Sequence, residues 1–404
     1  MTLELLEDNG TRLYEVRRDS DLLGYVAVDS TVMGCSRGGL RMVPDLDADE
    51  MKDAARSMTL KYGFLGLPQG GAKAGLIGDG EAPTEAKHEQ LVGFGQAIKS
   101  LLLSQSYIPD SDLGTSAAEV RAMMVDIGAR VGKHDWRSTR SGFYTACSCV
   151  AAAESSLQEI GEKLHGKRVA VEGFGNVGSN LARLLVERGA KVVAVSTSQG
   201  AVYDSRSLDI DQLTSLARQY GSGFVDRVAD ERKLERSDLL ALDVDLLCPC
   251  ARRHSVCELN VADISAHLVC PGANNPVSLQ AESMLAARGV LVVPDFVANS
   301  GGVLGGTLEF AGVSAEKVVR IIEKLVWPRT RQILQESNRR GSTPRKIAEA
   351  AALERHAEVR DAAENPSFGG RALAAGVEAY HQGLIPKSIV SLLTPLYISR
   401  VLRM

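Results

Sequence analysis

Three observations predict an α/β protein of two domains. Apolar runs of strand length alternate with amphipathic stretches of helix length over most of the chain. A length of 404 residues suits two domains. A polar stretch without period, HDWRSTRSG, interrupts the pattern near Lys133 to Arg140. The division is therefore an N-terminal α/β domain at 1–137, a second α/β domain at 138–345, and helices at 346–404 that return to the first domain.

Composition narrows the function. Apolar residues are 45% and charged residues 24%, the balance of an ordinary globular domain. A net charge of −4 argues against nucleic acid or an anionic membrane surface as partner of the whole chain. Acids stand in MTLELLEDNG where a signal peptide needs basic residues, and no apolar run spans a bilayer, so a cytoplasmic location is expected. The seven cysteines are Cys35, Cys147, Cys149, Cys248, Cys250, Cys257 and Cys270. Their two C-x-C pairs lack zinc-site spacing, so reduced thiols and no metal are expected. Arg252-Arg253-His254 and Arg339-Arg340 with Arg345-Lys346 read as solvated loop charge.

In the first domain, Leu13 to Val16 and Gly24 to Val28 read as strands. In MGCSRGGLRM, Gly34, Gly38 and Gly39 are read as bending the chain, with Arg37 and Arg41 flanking the turn. From Asp47 a helix is predicted by Met51, Ala55 and Met58, and it delivers Lys61 at its C-terminal end. LKYGFLGLPQGGAKAGL follows, with Lys61 and Lys73 as its only charges. The Gly70-Gly71 pair is read as a tight turn. Desolvation among Gly, Ala and Leu lowers the pKa of Lys73, and the charge of Lys61 is expected to push the same way. A drop of roughly 2–3 units from ~10.4, about 3–4 kcal/mol, makes a lysine a base near neutral pH. Residues 84–104 read as one amphipathic helix. Pro109 prevents its continuation, Asp112 falls in a loop, and Ser/Thr at 111–116 precede another helix.

The second domain opens with a helix at about 142–163. Val169 to Val171 is a short strand, and Gly173, Gly175 and Gly178 then give G-x-G-x-x-G, with an Ala/Leu helix directly after. A second strand follows at Val192 to Val195. This context is the Rossmann-type dinucleotide fingerprint: a glycine for the turn, one for approach to a pyrophosphate, one for helix packing. The helix N-terminus offers N–H groups to the anion. Phe174, Asn176 and Val177 complete the loop. Later strands at 245–247, 267–270 and 290–293 lead into CPCA (248–251), PGANNP (271–276) and ANSGG (298–302). Ligands bind beyond strand carboxyl ends, so Cys250, Ala251, Asn274, Asn275, Asn299 and Gly301-Gly302 are expected to face the cofactor. A long amphipathic helix at 314–336 precedes a polar, basic loop at 337–346.

Together GGLRM, MTLKYGFLGLPQGGAKAGL, DLGT, the STRSG threonine, VEGFGNVG, PGANNP and VPDFVANSGGV, from Gly38 to about Glu309, resemble the glutamate/leucine/phenylalanine/valine dehydrogenase superfamily. The resemblance implies a substrate domain and a nucleotide domain with a cleft between them. It also implies NAD or NADP as cofactor, a homo-oligomer, and reversible oxidative deamination of an L-amino acid to a 2-oxo acid and ammonium. By position, Lys61 corresponds to the lysine that holds the substrate α-carboxylate. Lys73 corresponds to the lysine that activates water, and Asp112 to the carboxylate that carries protons to and from nitrogen. Thr139 and Asn299 fall at the nicotinamide end and Asn274 on the ribose side. Arg37, Gly38, Gly39, Val303 and Gly306 fall at the substrate.

Two questions stay open. Thr197 stands where many NAD enzymes carry an acid for the ribose 2′-hydroxyl, which permits NADP, and Arg206 is the nearest arginine beyond it. Arg37 stands where the glutamate enzymes carry a lysine for the distal carboxylate. Gly306, in place of a serine, leaves room for a larger group. Glutamate is slightly favoured, with branched-chain or aromatic amino acids as the alternative. A catalytically silent nucleotide-binding protein is the rival class, and the Lys61, Lys73 and Asp112 set argues against it.

Overall fold

In the computed structural model, residues 2–8, 10–129, 131, 140–311 and 313–367 are described, with positions 371, 376, 379, 384 and 385 beyond them. They group into two compact units. The first holds the chain to Arg137 and, again, from Ala351 onward; the second holds Ser138–Glu309 and Val313–Ala350.

The first unit is built on β1 (Thr2–Asp8), β2 (Arg12–Arg18), β3 (Asp21–Val28), β4 (Ser36–Val43), β5 (Gly70–Ile77) and β6 (Ile108–Ser111), in the order β1-β2-β3-β5-β4-β6. The sequence reading missed β1 because the adjacent Leu5 and Leu6 break the alternation, and the register shifts between Leu5 and Glu7. α1 (Ala48–Leu65) packs Met51 and Ala55 on one face of the sheet with Leu13 and Ala27. Asp47 caps it by accepting the Glu50 N–H at 2.7 Å. α2 (Thr84–Ala97), α3 (Lys99–Leu103) and α4 (Ala117–Asp126) cover the other face with Leu91, Phe94, Leu102 and Met123. Residues 84–104 are therefore two helices. Ile98 leaves helical geometry (φ −96°, ψ 14°) and is fully buried at the break. Ser116 and Glu119 form a capping box at the start of α4.

Two expected turns are strands. Gly38 and Gly39 lie within extended β4, and Gly70 and Gly71 open β5. The glycines serve close approach. A Cβ on Gly38 would sit 1.6 Å from the Ala72 carbonyl oxygen. One on Gly71 would sit 2.3 Å from Thr59 N, and one on Gly75 would sit 2.5 Å from Leu46 Cδ1. Gly38 thus lets β4 close on β5, and Gly71 and Gly75 let α1 descend onto β5 on either side of Lys73. In MGCSRGG the left-handed turn is made by Met33 (φ +51°) and Gly34 (φ +76°).

The second unit begins with α5 (Ser141–Glu159) and the strand–helix–strand β7 (Arg168–Glu172), α6 (Asn176–Glu187), β8 (Lys191–Thr197). β9 (Gly200–Tyr203), α7 (Ile210–Tyr220), β10 (Lys233–Leu234), β11 (Leu246–Pro249), β12 (Leu268–Val269), α8 (Leu279–Ala287), β13 (Leu291–Val292), α9 (Asp295–Ala298), α10 (Gly301–Phe310), α11 (Ala315–Arg340) and α12 (Pro344–Glu364) follow. The sheet order is β10-β9-β8-β7-β11-β12-β13, with β8, β7, β11, β12 and β13 parallel. This is the doubly wound arrangement the glycine fingerprint requires.

The expected loop at 337–346 shrinks to three residues. α11 continues to Arg340, because Gly341 (φ 60°) is its first left-handed residue, and α12 starts at Pro344. Arg345 is not solvated loop charge. Its guanidinium is buried and donates to Glu282 at 2.6 Å and to Asp295 at 3.0 Å. Breaking such a buried pair costs about 3–5 kcal/mol. Further along α12, Ala352 lies against Gly63, and His356 Nε2 is 2.9 Å from the Gln69 carbonyl oxygen. All seven cysteines are free thiols, and no group among the described residues could hold a metal. No described helix is long and apolar enough to cross a membrane.

Candidate active site

In the first unit, strand alternation builds the site. The parallel register pairs Arg37 with Gly71 and Arg41 with Gly75, which places Gly39 beside Lys73. Arg37, Gly39, Arg41 and Lys73 therefore share the face that α1 covers. Lys73 and Lys61 are each 4% exposed; Lys61 lies in the last turns of α1. Lys73 Nζ donates to Asp112 Oδ2 at 2.6 Å. Arg41 Nε donates to the same oxygen at 3.0 Å and also pairs with Glu50.

Asp112 is held by its own loop. Its N–H donates to Thr115 Oγ1 at 3.0 Å, and that hydroxyl donates to the Leu40 carbonyl of β4 at 2.6 Å. Gly39 is the floor. A Cβ there would sit 2.7 Å from Asp112 Cβ and 3.1 Å from Lys73 Nζ. Only glycine lets the amine and carboxylate meet across β4.

The electrostatics follow from burial and count of charge. Burial drives the Lys73 pKa down, Asp112 opposes, and Arg41 adds to the fall, so the net direction is down. Arg41 is a cation acting against this ammonium. Asp112 is pushed up by burial, but Lys73 and Arg41 outweigh that and hold it well below the usual carboxylate range. A buried amine biased toward its free form, touching an ionised carboxylate, is a proton-transfer couple. In the sequence Arg41 reads only as flanking a turn. The i, i+2, i+4 spacing of Arg37, Gly39 and Arg41 was the signal that could have found it.

In the second unit, Gly173 turns with φ +92°, and a Cβ on Gly178 would sit 1.8 Å from the Gly173 carbonyl oxygen. The third glycine thus brings α6 down onto the turn. A Cβ on Gly175 meets nothing within 4 Å, and no side chain caps α6. Open space above uncapped N–H groups fits a pyrophosphate. Asn176 lies against Gly142 and Val177 against Gly272. The turn is tied to the end of β8: Phe174 N–H donates to Ser196 O at 2.6 Å, and Gly173 N–H to Ser196 Oγ at 3.0 Å. Thr197 Oγ1 donates to Ser222 O at 2.9 Å and accepts the Gln199 N–H at 3.1 Å, so its hydroxyl serves the local turn.

Cys250 and Ala251 follow β11. Cys250 is buried enough to raise its thiol pKa well above normal, and Ala251 backs the Gly173 turn. Asn299 Nδ2 donates to Ala273 O at 2.7 Å and to Asn274 Oδ1 at 3.3 Å. Asn299 Oδ1 is buried without a hydrogen-bond partner, an acceptor suited to an amide N–H. Asn275, with φ +47°, donates its N–H to Asp295 Oδ2 at 3.0 Å, which fixes the PGANNP loop. Val303 and Gly306 lie on α10; nothing stands within 4 Å of a Cβ on Gly306. Thr139 lies outside the described residues.

Comparison with known proteins agrees with both halves. The family description "Glutamate/Leucine/Phenylalanine/Valine dehydrogenase" matches residues 139–363, and "Glu/Leu/Phe/Val dehydrogenase, dimerisation domain" matches 12–128. A Staphylococcus aureus (strain COL) NAD-specific glutamate dehydrogenase is 34% identical over 293 residues, 69% of this chain and 70% of that one. A catabolic NAD-specific glutamate dehydrogenase of Bacillus subtilis (strain 168) is 32% identical over 69% of this chain and 68% of its own length. The hetero-hexameric glutamate dehydrogenase of Thermus thermophilus, in a leucine-bound form, superposes with a TM-score of 0.71 at 26% identity, covering 86% of this chain and 88% of that chain.

Proposed function

The chain belongs to the glutamate/leucine/phenylalanine/valine dehydrogenase family, and from that premise we propose that it converts L-glutamate reversibly to its 2-oxo acid and ammonium with NAD. The observation that carries this reading is the buried Lys73–Asp112 contact of 2.6 Å above a glycine floor. Lys61 pairs with the α-carboxylate and Arg37 with the distal carboxylate. Asp112 takes a proton from the substrate amino group, which frees the nitrogen lone pair. The bound dinucleotide supplies the acceptor for the hydride that leaves the α-carbon. Lys73, as the free amine, takes a proton from water as its oxygen adds to the resulting imine carbon. The hydroxyl proton and one of the two protons held by Lys73 and Asp112 then pass to nitrogen as the C–N bond breaks and the C=O bond forms, ammonium departs, and the remaining proton is released to water.

The preference for NAD rests on the two NAD-specific relatives and on a 197 region where no cation replaces the missing acid. The test is a panel of amino acids with NAD and with NADP, followed by absorbance of the reduced cofactor. Glutamate with NAD is expected to give the highest kcat/KM. A profile peaking at leucine or phenylalanine overturns the glutamate assignment and keeps the reaction class. No turnover with any amino acid overturns the class.

Self-association belongs to the same reading, because residues 12–128 match a domain described by dimerisation. Light scattering is expected to give a mass of at least twice 43.2 kDa; the monomer mass at micromolar concentration counts against it.

A further inference from the structure

We propose that Arg41 and Glu50 are opposed positioning residues that orient Asp112 and set how readily Lys73 gives up its proton. The inference rests on the dehydrogenase reading in assigning Lys73 as the base, but its geometry stands apart from any substrate.

Arg41 and Lys73 both donate to Asp112 Oδ2, at 3.0 and 2.6 Å, so the carboxylate is fixed through one oxygen by two cations. Arg41 is in turn held by Glu50, from the first turn of α1. The chain thus runs Glu50, Arg41, Asp112, Lys73, with alternating charge. Its four members are carried by different elements: α1, β4, the loop after β6, and β5. Side-chain exposure of 12% for Arg41 and 14% for Glu50 keeps solvent from screening it.

The sign of each contribution follows from position. Arg41 is a like charge to the Lys73 ammonium and disfavours it; Glu50 is an opposite charge and favours it. Other charged groups on the elements around Lys73 are Arg37 on β4, Asp49, Lys52, Asp53, Arg56 and Lys61 on α1, and Asp21 on β3, with Asp45 before α1 favouring the Arg41 cation. Arg41 also competes with Lys73 for Asp112. Without Arg41, Asp112 belongs to Lys73 alone, and the couple settles as a salt bridge with no base. Without the Glu50 charge, Arg41 is uncompensated, and the amine loses its proton more easily.

Two substitutions should therefore move one titration in opposite directions. The acidic limb of the kcat/KM profile for oxidative deamination reports the base of the free enzyme. Arg41→Gln should move that limb to higher pH, and Glu50→Gln to lower pH, each by on the order of one unit. Arg41→Lys, which keeps the charge and loses the planar fork, should return the limb to near its wild-type position. Titration of the substrate is common to all variants and cancels.

A second readout needs no turnover. Acetic anhydride acylates an amine only in its unprotonated form, so the extent of acetylation at Lys73 against pH, read by peptide mass, gives the same titration. It should shift with the same signs. If labelling shifts as stated while no amino acid is turned over, the tuning stands and the dehydrogenase reading falls. If glutamate is turned over but both profiles stay in place, or both variants shift them the same way, the tuning falls. Should Arg41→Gln fail to fold, the downward shift in Glu50→Gln decides the matter.

Discussion

Lys73→Ala should lower kcat for glutamate oxidation by about 10²–10⁴ while NADH binding, followed by its fluorescence, stays at the wild-type level. That range is the usual contribution of a positioned acid–base group. The separation of effects follows from the architecture. Lys73 lies on β5 of the first unit, whereas the glycine turn, Asn274 and Asn299 belong to the second. Lys73→Arg should not restore activity, although it keeps a cation beside Asp112. A guanidinium holds its proton at all working pH values and so cannot take one from water. Near-full turnover in Lys73→Ala would remove the base from the mechanism, and restoration by arginine would reduce Lys73 to a counter-ion.

Arg37→Leu should cost glutamate about 30- to 5000-fold in kcat/KM, the range of about 2–5 kcal/mol for removing one partner of a desolvated charge pair. Substrates with an apolar side chain should lose little or gain. β4 sets Arg37 two residues before Gly39, on the face that carries Lys73, so its cation is on the same strand surface as the reacting groups. Steady-state kinetics with glutamate and with norvaline separate specificity from general damage, since misfolding lowers both. An unchanged ratio of the two would place the distal-carboxylate site elsewhere.

Much of this architecture was legible in the residues. Asp47 before Met51, Ala55 and Met58 announces α1, and Val169 through Val195 announces the strand–turn–helix–strand. Both are local patterns with period and caps. What was not legible depended on partners distant in sequence. Gly38, Gly39, Gly70 and Gly71 look like turn residues until β4 and β5 are paired, when Ala72, Thr59 and Asp112 are seen to occupy the space of their missing side chains. Arg345 looks solvated until Glu282 and Asp295, 63 and 50 residues earlier, close on it. The electrostatic role of Arg41 is invisible for the same reason, because its partner Asp112 is 71 residues away. Glycine and arginine are the types whose local preference says least about tertiary use.

The glycines of α10 differ in what they permit. Gly301 and Gly305 are pressed against Tyr144, where a Cβ would sit 2.0 and 2.2 Å from its atoms. Gly306, one step along, borders nothing. Alanine, serine or a larger side chain can therefore be grafted onto 306 without displacing a neighbour, while the two glycines before it hold the helix in place.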